Sequence, residues 1–491
     1  MTVLDVDELG GAPLGASQLE ALRGAASAKL DAQAQRARRY QFYYDGEAEI
    51  VALLATAERQ TFRRLLDESG CDWCELIVNA VAERLSVVGF RWGDASDQAW
   101  QIWQASQMDA DAELVQTDAL VTGQSFVLVQ PDDDSTNPTG VRITAESPFE
   151  ATILYRPGDR RERVAGYKRF AGIDPQDYPW PAWMGEPLGA GTTEVLITAG
   201  EIAIWQAGGS DPVVMPNPAG VVGMIEICPQ PRTWGPPRSE LTPAIPIQDR
   251  ICTTLFNRLV ATDYSAFRQI WAAGIRIPQQ MITTTDPATG EPVEQVQYNA
   301  PFDVGANRLL VTENPAARFG SFAESTLQGY LSSVEQDVDQ LAAITQTPTY
   351  YFRPMANLSA DAIKAAEAGL VAKVSRRALH IGEGWETVMR TAFAIARNDA
   401  AAAEQSAEII WRDFETRSEA QLVDGLVKMR TLGVPLEALW AKWGATPSTI
   451  AEWRAMRAAE IASGDVLAPQ PVPTTASGRS SAPGPQLPVR E

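Results

Sequence analysis

The sequence predicts an α+β protein, and three observations carry that reading. Long apolar stripes at helical spacing fill much of the second half. A strand-rich stretch of short alternating runs lies between Val141 and Val222. Shorter helical patterns precede that stretch and follow the long stripes.

In chain order, Gln18–Tyr40 reads as a helix rich in Ala, Leu, Gln and Arg. The basic and aromatic segment RARRYQFYYDGE follows. It reads as a helix end, its arginines close to the negative end of the dipole and its aromatics packed beneath. Trp73–Val88 is a second helix, ending before Gly89, and Asp97–Gly123 is also helical. SFVLVQPDDDS is a strand running into a polar turn. VRITAESPFEATILY, VAGYKRFAG, TEVLITAGEIAIWQAG and PVVMPNPAG alternate between Gly, Pro and Asp, as antiparallel strands do. The segment PNPAGVVGMIEICPQPRTWGPPRSEL is a Pro-punctuated connector.

Ala244–Trp271 is the first long helix, with Ile247, Ile251, Leu255, Leu259, Phe267, Ile270 and Trp271 as its stripe. At 1.5 Å per residue it would span roughly 40 Å. The insert Gly274–Gly320 carries IRIPQQMITTT, the turn DPATGEP, VEQVQY and NRLLVTEN, a small α+β or β module. Ser321–Thr345 is the second long helix, with Leu327, Leu331, Val334, Val338 and Leu341 spaced 4-3-4-3. Thr347-Pro348 ends it, because the residue before proline avoids helical geometry. The loop Gln346–Leu358, QTPTYYFRPMANL, leads to a third long helix. Ser359 is its N-cap, Asp361 favours its dipole, and its stripe is Ile363, Leu370, Val374, Ile381, Trp385 and Val388. AEIIWRDFETRS suggests one more strand. Glu419–Ile461 gives two or three amphipathic helices, and the Pro-, Ser- and Gly-rich tail from Ser463 reads as disordered.

Composition and motifs exclude several functions. The 491 residues are 45% hydrophobic and 21% charged, a globular composition for two to four domains. No run approaches the roughly 18 apolar residues of a membrane helix. The acidic start MTVLDVDELGG lacks the features of a signal peptide, which predicts a soluble protein of the cytosol. No G-x-x-x-x-G-K-[ST] occurs, so no P-loop motor or kinase is visible. There is no G-x-G-x-x-G after a strand, no H-E-x-x-H and no calcium loop. The single histidine, His380, sits in a helical pattern and reads as structural. Cys71 and Cys74 form a C-x-x-C without a second pair or nearby histidines, which predicts buried free thiols. No catalytic residue, metal or cofactor is therefore expected.

The net charge of −21 argues against tight binding of nucleic acid by counterion release. It does not argue against a surface that nucleic acid must slide past. Between Arg318 and Arg353 there is no Lys or Arg, whereas Glu324, Glu335, Asp337 and Asp339 are all acidic. This is either a solvated helix face or an acidic wall facing a polyanion. In the loop, Tyr350, Tyr351, Phe352, Arg353, Met355 and Asn357 combine the residue types that touch nucleic acid. The aromatics would equally serve to pack the helix junction.

Five pieces in order resemble the portal proteins of long-tailed bacteriophages, in particular those of actinobacterial phages. They are DALVTGQSFVLVQPD, RSELTPAIPIQDRICTTLFNRLVATDYSAFRQIWAAG, FAESTLQGYLSSVEQDVDQLAAITQTPTYYF, NLSADAIKAAEAGLVAKV and WRDFETRSEAQLVDGLVKMRTLGVP. The resemblance covers roughly Gln18 to Ile461. It implies the phage portal fold. Residues 1–240 would be N-terminal helices and a β-rich wing, 241–272 the first stem helix, 273–320 a small α/β clip and 321–345 the second stem helix. Residues 346–358 would be the tunnel loop, 359–418 the long helix and its return to the wing, 419–462 the helical crown and 463–491 the tail. Stem packing would fall to Ile251, Leu255, Leu259, Leu331, Val334, Val338 and Leu341. Family members often carry Gly-Ser and Ser-Gly where this chain has Arg238-Ser239 and Ser359-Ala360, and Ala360 stiffens the helix start.

The resemblance further implies a non-enzymatic ring of about twelve copies at one capsid vertex of the virion, assembled in the host cytoplasm. Its implied partners are other copies of itself, the terminase large subunit, the head-tail adaptor, the major capsid and scaffold proteins, and double-stranded DNA passing through the channel, with no membrane. The rival readings are another ring protein of the phage neck and, from a different class, an enzyme with a cleft around His380.

Overall fold

The computed structural model describes residues 14–47, 70–134, 136–171, 191–206, 211–266, 270–274, 279–285, 292–298, 315–321, 327–353, 359–415 and 419–463. Phe267, NRLLVTEN, Glu324, Met355, Asn357 and the tail after Ser463 lie outside the described residues. The chain divides into two compact units, Met1–Leu85 with Ile102–Gln405, and Ser86–Gln101 with Ser406–Glu491. The α+β class holds, with helices and antiparallel sheets in one chain.

In the first unit, helix α1 (Ala16–Tyr44) lies over a five-stranded antiparallel sheet. Its strands are β4 (Ala151–Arg156), β5 (Asp159–Ala171), β6 (Thr192–Ile197), β7 (Glu201–Trp205) and β8 (Val213–Pro216), in that order. The helical spacing of Leu19, Leu22, Ala26 and Leu30 puts them on one face. They pack on Ala165, Tyr167, Leu196, Ala203 and Trp205, which alternate along the strands. Arg23 crosses the same face, pairing with Glu194 at 2.7 Å, and Tyr167 donates to that carboxylate. Gln33 is buried but satisfied. It donates to the carbonyls of Pro148 and Ala151 and accepts from Thr152.

A second sheet, β3-β2-β9, comprises β2 (Ser125–Pro131), β3 (Val141–Glu146) and β9 (Met224–Ile227). The third long helix, α8 (Ala360–Ile395), runs close against it. A Cβ at Gly384 would stand 2.7 Å from Ile227 Cδ1, so glycine sets that approach. Trp103 and Trp385 meet edge-on at 5.0 Å, both fully buried.

Several boundaries differ from the sequence reading, where strand pairing or a local backbone turn interrupts a helical pattern. The second helix, α2, is only Cys74–Ala82, and Val87–Arg91 is strand β1. Its β-branched pair Val87-Val88 leads a ladder with β14 (Glu408–Trp411), the strand expected from AEIIWRDF. The stretch Asp97–Gly123 is two helices, α3 (Ser96–Ala105) and α4 (Met108–Thr122), divided where Gln107 adopts φ 57°. The first long helix, α5, ends at Ala266. Ile270 and Trp271 lie in strand β10 (Ile270–Ala273), which pairs with β13 (Arg318–Ser321). The second long helix, α6, is Gln328–Thr345, so Ser321 is strand. The chain leaving α5 and the chain entering α6 thus run side by side as a ribbon. A second ribbon, β11 (Gln279–Thr285) with β12 (Pro292–Tyr298), completes the described part of the insert.

The second unit holds the β1–β14 ladder, the first part of α3 and, further along, α9 (Glu419–Thr431), α10 (Leu436–Trp443) and α11 (Pro447–Ser463). Trp440 and Trp443 close on Trp453 at 5.5 and 5.7 Å. Leu439, and Ala445 in the connection after it, are the buried apolar residues here among those described.

Candidate functional site

The distinctive site is the junction where α6 ends and α8 begins. Gln346 caps α6 in the left-handed region at φ 54°, turning the chain sharply. Pro348 then starts one short helical turn, α7 (Thr349–Phe352), inside the predicted loop. Ser359 is the N-cap of α8 as expected, its side chain accepting from the Ala362 amide at 3.2 Å.

The loop aromatics are held by the protein. Phe352 is buried against Trp73, ring centroids 5.4 Å apart, in a cluster with Ile77, Ile247, Ile251, Val338 and Leu341. Tyr351 packs on that cluster and accepts a hydrogen bond from Arg84 at 2.9 Å. Tyr350 stacks at a tilt on Tyr351 and donates to Glu367, which also pairs with Arg84 at 3.2 Å. Burial, and then the hydrogen bond to Glu367, push the Tyr350 hydroxyl well above its ordinary value, so it stays protonated. Arg353 lies at the edge and pairs with Asp339 at 2.8 Å. Arg353 and Asp339 are each more than a third exposed.

The acidic residues of α6 do not share one face. Glu335 is exposed and Asp339 meets Arg353. Asp337 is buried and turned onto α5, where Arg250 pairs with it at 2.7 Å. A pattern of charge along the sequence cannot show that partner. Ile251 of α5 shares one apolar cluster with Val338 and Leu341 of α6, and Leu255 and Val334 pack against it. Leu259 is half-buried, while Leu331 is 40% exposed in a single copy.

Beneath the junction lies a cluster that sequence reasoning missed. Glu240, just before α5, is buried with Lys373 and Arg377 of α8, and Lys373 Nζ stands 3.2 Å from its carboxylate. Lys373 also donates to the Thr345 carbonyl at the end of α6, at 2.9 Å. Gln230 donates to Glu240 at 2.7 Å. Burial opposes the Glu240 charge, but the two cations outweigh it and hold the carboxyl below its usual range. One carboxylate therefore ties together the connector, α6 and α8. Lys373 sits three residues after Leu370 and beside Val374, a charge inside an apolar stripe, and that was its signal.

His380 is exposed on α8. Cys71, Cys74 and Cys252 come close, the Cys252 thiol donating to the Cys71 carbonyl at 3.4 Å. Burial pushes the Cys71 thiol up to about 11 and Cys74 higher still, which leaves both protonated. Among the described residues no group of three His, Cys, Asp or Glu could hold a metal, and no helix is long and apolar enough to cross a membrane.

Comparison with known proteins bears directly on this junction. Residues 228–462 match the family "Phage portal protein, SPP1 Gp6-like", a span that takes in α5, α6, α7 and α8. The portal protein of Mycobacterium phage L5 is 29% identical over 402 residues, covering 79% of this chain and 77% of that protein. The portal protein of Mycobacterium phage D29 is 29% identical over 438 residues, covering 81% and 79%. In sequence the chain is thus similar to the phage portal proteins. A chain of a gene transfer agent virion is similar over 79% of this chain and 88% of its own length, at 13% identity and a TM-score of 0.34, too loose to carry an argument. Phage portal proteins are structural components of the virion. The family match begins two residues before Gln230 and so includes Glu240, Lys373 and Arg377, but not Trp73 or Arg84.

Proposed function

We propose that this chain is a phage portal protein and forms a homo-oligomeric ring, of about twelve copies, at the unique vertex of the capsid. It is the channel for DNA entry and exit and a docking platform for terminase and then the head-tail connector. It carries no catalytic activity and assembles in the host cytoplasm with the major capsid and scaffold proteins. The family match across the two long helices and their junction is the observation that supports this most. Residues 241–272 and 321–345 serve as stem, 273–320 as clip, 346–358 as tunnel loop, 359–418 as the helix returning to the wing of residues 1–240, and 419–462 as crown.

In this reading α5 and α6 form a two-helix stave. Leu331 and Ile344, exposed in one copy at 40% and 54%, would pack against the next stave. Glu335 and Asp339 would present negative charge to DNA, so that phosphates pass without sticking. Asp337 is committed to Arg250 and is not part of that wall. Tyr350 and Arg353, at the margin of the junction, would make the transient contacts with DNA.

The test is native mass and negative-stain imaging of the purified chain in moderate salt. Rings of about twelve subunits with an axial hole are expected, and a compact dimer or tetramer would overturn the proposal. Glu335→Lys should leave the ring intact and lower DNA packaging. Packaging at the unmodified level would remove Glu335 from the channel wall.

A further inference from the structure

A second surface lies outside the junction, at the connector before α5. Residues 230–238, QPRTWGPPR, form a loop closed at its base, where the Arg238 amide donates to the Gln230 carbonyl at 3.3 Å. The chain leaving it is bolted to α4. Ser239 donates to the Val121 carbonyl, and the Glu240 amide donates to the Leu120 carbonyl at 3.0 Å. Gly123, at φ 96°, lets this segment approach, since a Cβ there would stand 3.2 Å from the Arg238 backbone. Three prolines stiffen the loop. At its tip Trp234 is 84% exposed.

Next to the tip, Pro236 and Pro237 form one wall of a small cleft whose other sides include Arg36, Thr122 and Gln124. The cleft has room for the end of one side chain rather than a free ligand. Gln124 is 7% exposed, and its side-chain amide has no hydrogen-bond partner among the described residues. Arg36, Arg232 and Arg238 are exposed and make no ion pair among the described residues. In a chain with 62 acidic and 41 basic residues, this is a local basic and aromatic patch.

We infer that this patch is a docking surface for an acidic segment of a second copy of this chain. Trp234 is the apolar anchor, and the cleft takes one carboxylate between Arg36 and the Gln124 amide. A second copy is the favoured occupant on charge, because its net charge of −21 supplies a surplus of carboxylates. Tryptophan and arginine are also the side chains on which protein interfaces concentrate their binding energy. The inference rests on the ring reading above and assigns one contact within it.

The experiment compares full-length chain with Trp234→Ala, Arg36→Glu and the conservative Arg36→Lys, and also places a benzophenone amino acid at position 234. Each single copy should melt as the unmodified chain does, since the altered side chains are exposed. Trp234→Ala and Arg36→Glu should raise the concentration needed for assembly about tenfold, with Arg36→Lys close to unmodified. Light should join position 234 to a Glu- or Asp-bearing segment of another copy. Assembly of Trp234→Ala at the unmodified concentration, or cross-links only to other proteins or nucleic acid, would overturn the inference and leave the ring standing. An unmodified chain that never associates would overturn both.

Discussion

The junction between α6 and α8 and the three C-terminal helices handle apolar and charged groups in opposite ways. At the junction, Phe352, Ile251 and Leu341 are buried, and Glu240 is enclosed with Lys373 and Arg377. The C-terminal helices and their connections bury Leu439 and Ala445, yet leave Val423, Val427, Leu432, Trp443, Met456 and Ile461 exposed. Their ion pairs, Arg454 with Glu437 and Lys428 with Asp424, lie in water and contribute little. The difference separates what one copy completes by itself from what it leaves for company. The described part of the junction is packed and paired within the chain. Apolar positions on the C-terminal helices are the kind of surface that acquires its stability from a partner.

The largest expected effect breaks the closed side of this contrast. Glu240→Ala leaves Lys373, 2% exposed, and Arg377 without their carboxylate. Removing one partner of a buried ion cluster costs about 3–5 kcal/mol, measured as the urea midpoint of the single copy. The pH dependence follows the same carboxylate. Its value is depressed in the fold, so its contribution is present above the ordinary carboxylate range and is lost as pH falls through the lower folded value. The gap between variant and unmodified chain should therefore narrow in acid. A constant gap would show that packing, not charge, dominates there. Phe352→Ala should cost about 3 kcal/mol through the cavity left beside Trp73. A loss below about 1 kcal/mol would show that the loop aromatics are not core.

These two residues also mark how far the sequence was legible. The stripes of α5, α6 and α8 were readable because a helical period is local, and so was Ser359 as a cap. The ends were not. Ile270 and Trp271 continue the α5 pattern by type, but pairing with Gly320 and Ser321 makes them strand. Tyr350, Tyr351 and Phe352 could be singled out as a group. What they touch could not, since Arg84, Trp73 and Glu367 come from distant segments. The same limit hid the Arg250 partner of Asp337 and the approach of Cys252 to Cys71. Short-range patterning fixes which residues form a helix face, whereas partners across the fold depend on topology that the patterning does not contain.

The closed region is not compensated throughout, and this gives a prediction of opposite sign. Asp118, on α4, makes no side-chain hydrogen bond among the described residues, and burial pushes its carboxyl up to about 6. The folded chain then binds this proton more tightly than the unfolded chain does. Stability falls as pH rises from about 4 to 6, and the full cost persists at neutral pH. Asp118→Asn should stabilise the single copy by roughly 2 kcal/mol at pH 7 and have little effect near pH 4. Equal effects at both pH values would mean that the charge is not what strains the site.

The smallest expected effect tests the open side. Leu432 is 84% exposed and Val427 57% exposed, so neither loses contacts within one copy when made polar. Leu432→Ser and Val427→Ser should change single-copy stability by less than about 0.5 kcal/mol. The same pair in the assembled protein should lower its melting temperature or its yield, because there the removed side chains would be covered. A cost in the single copy that exceeds the cost in the assembly would reverse the contrast, and would place these residues in the folding of the C-terminal helices rather than at an interface.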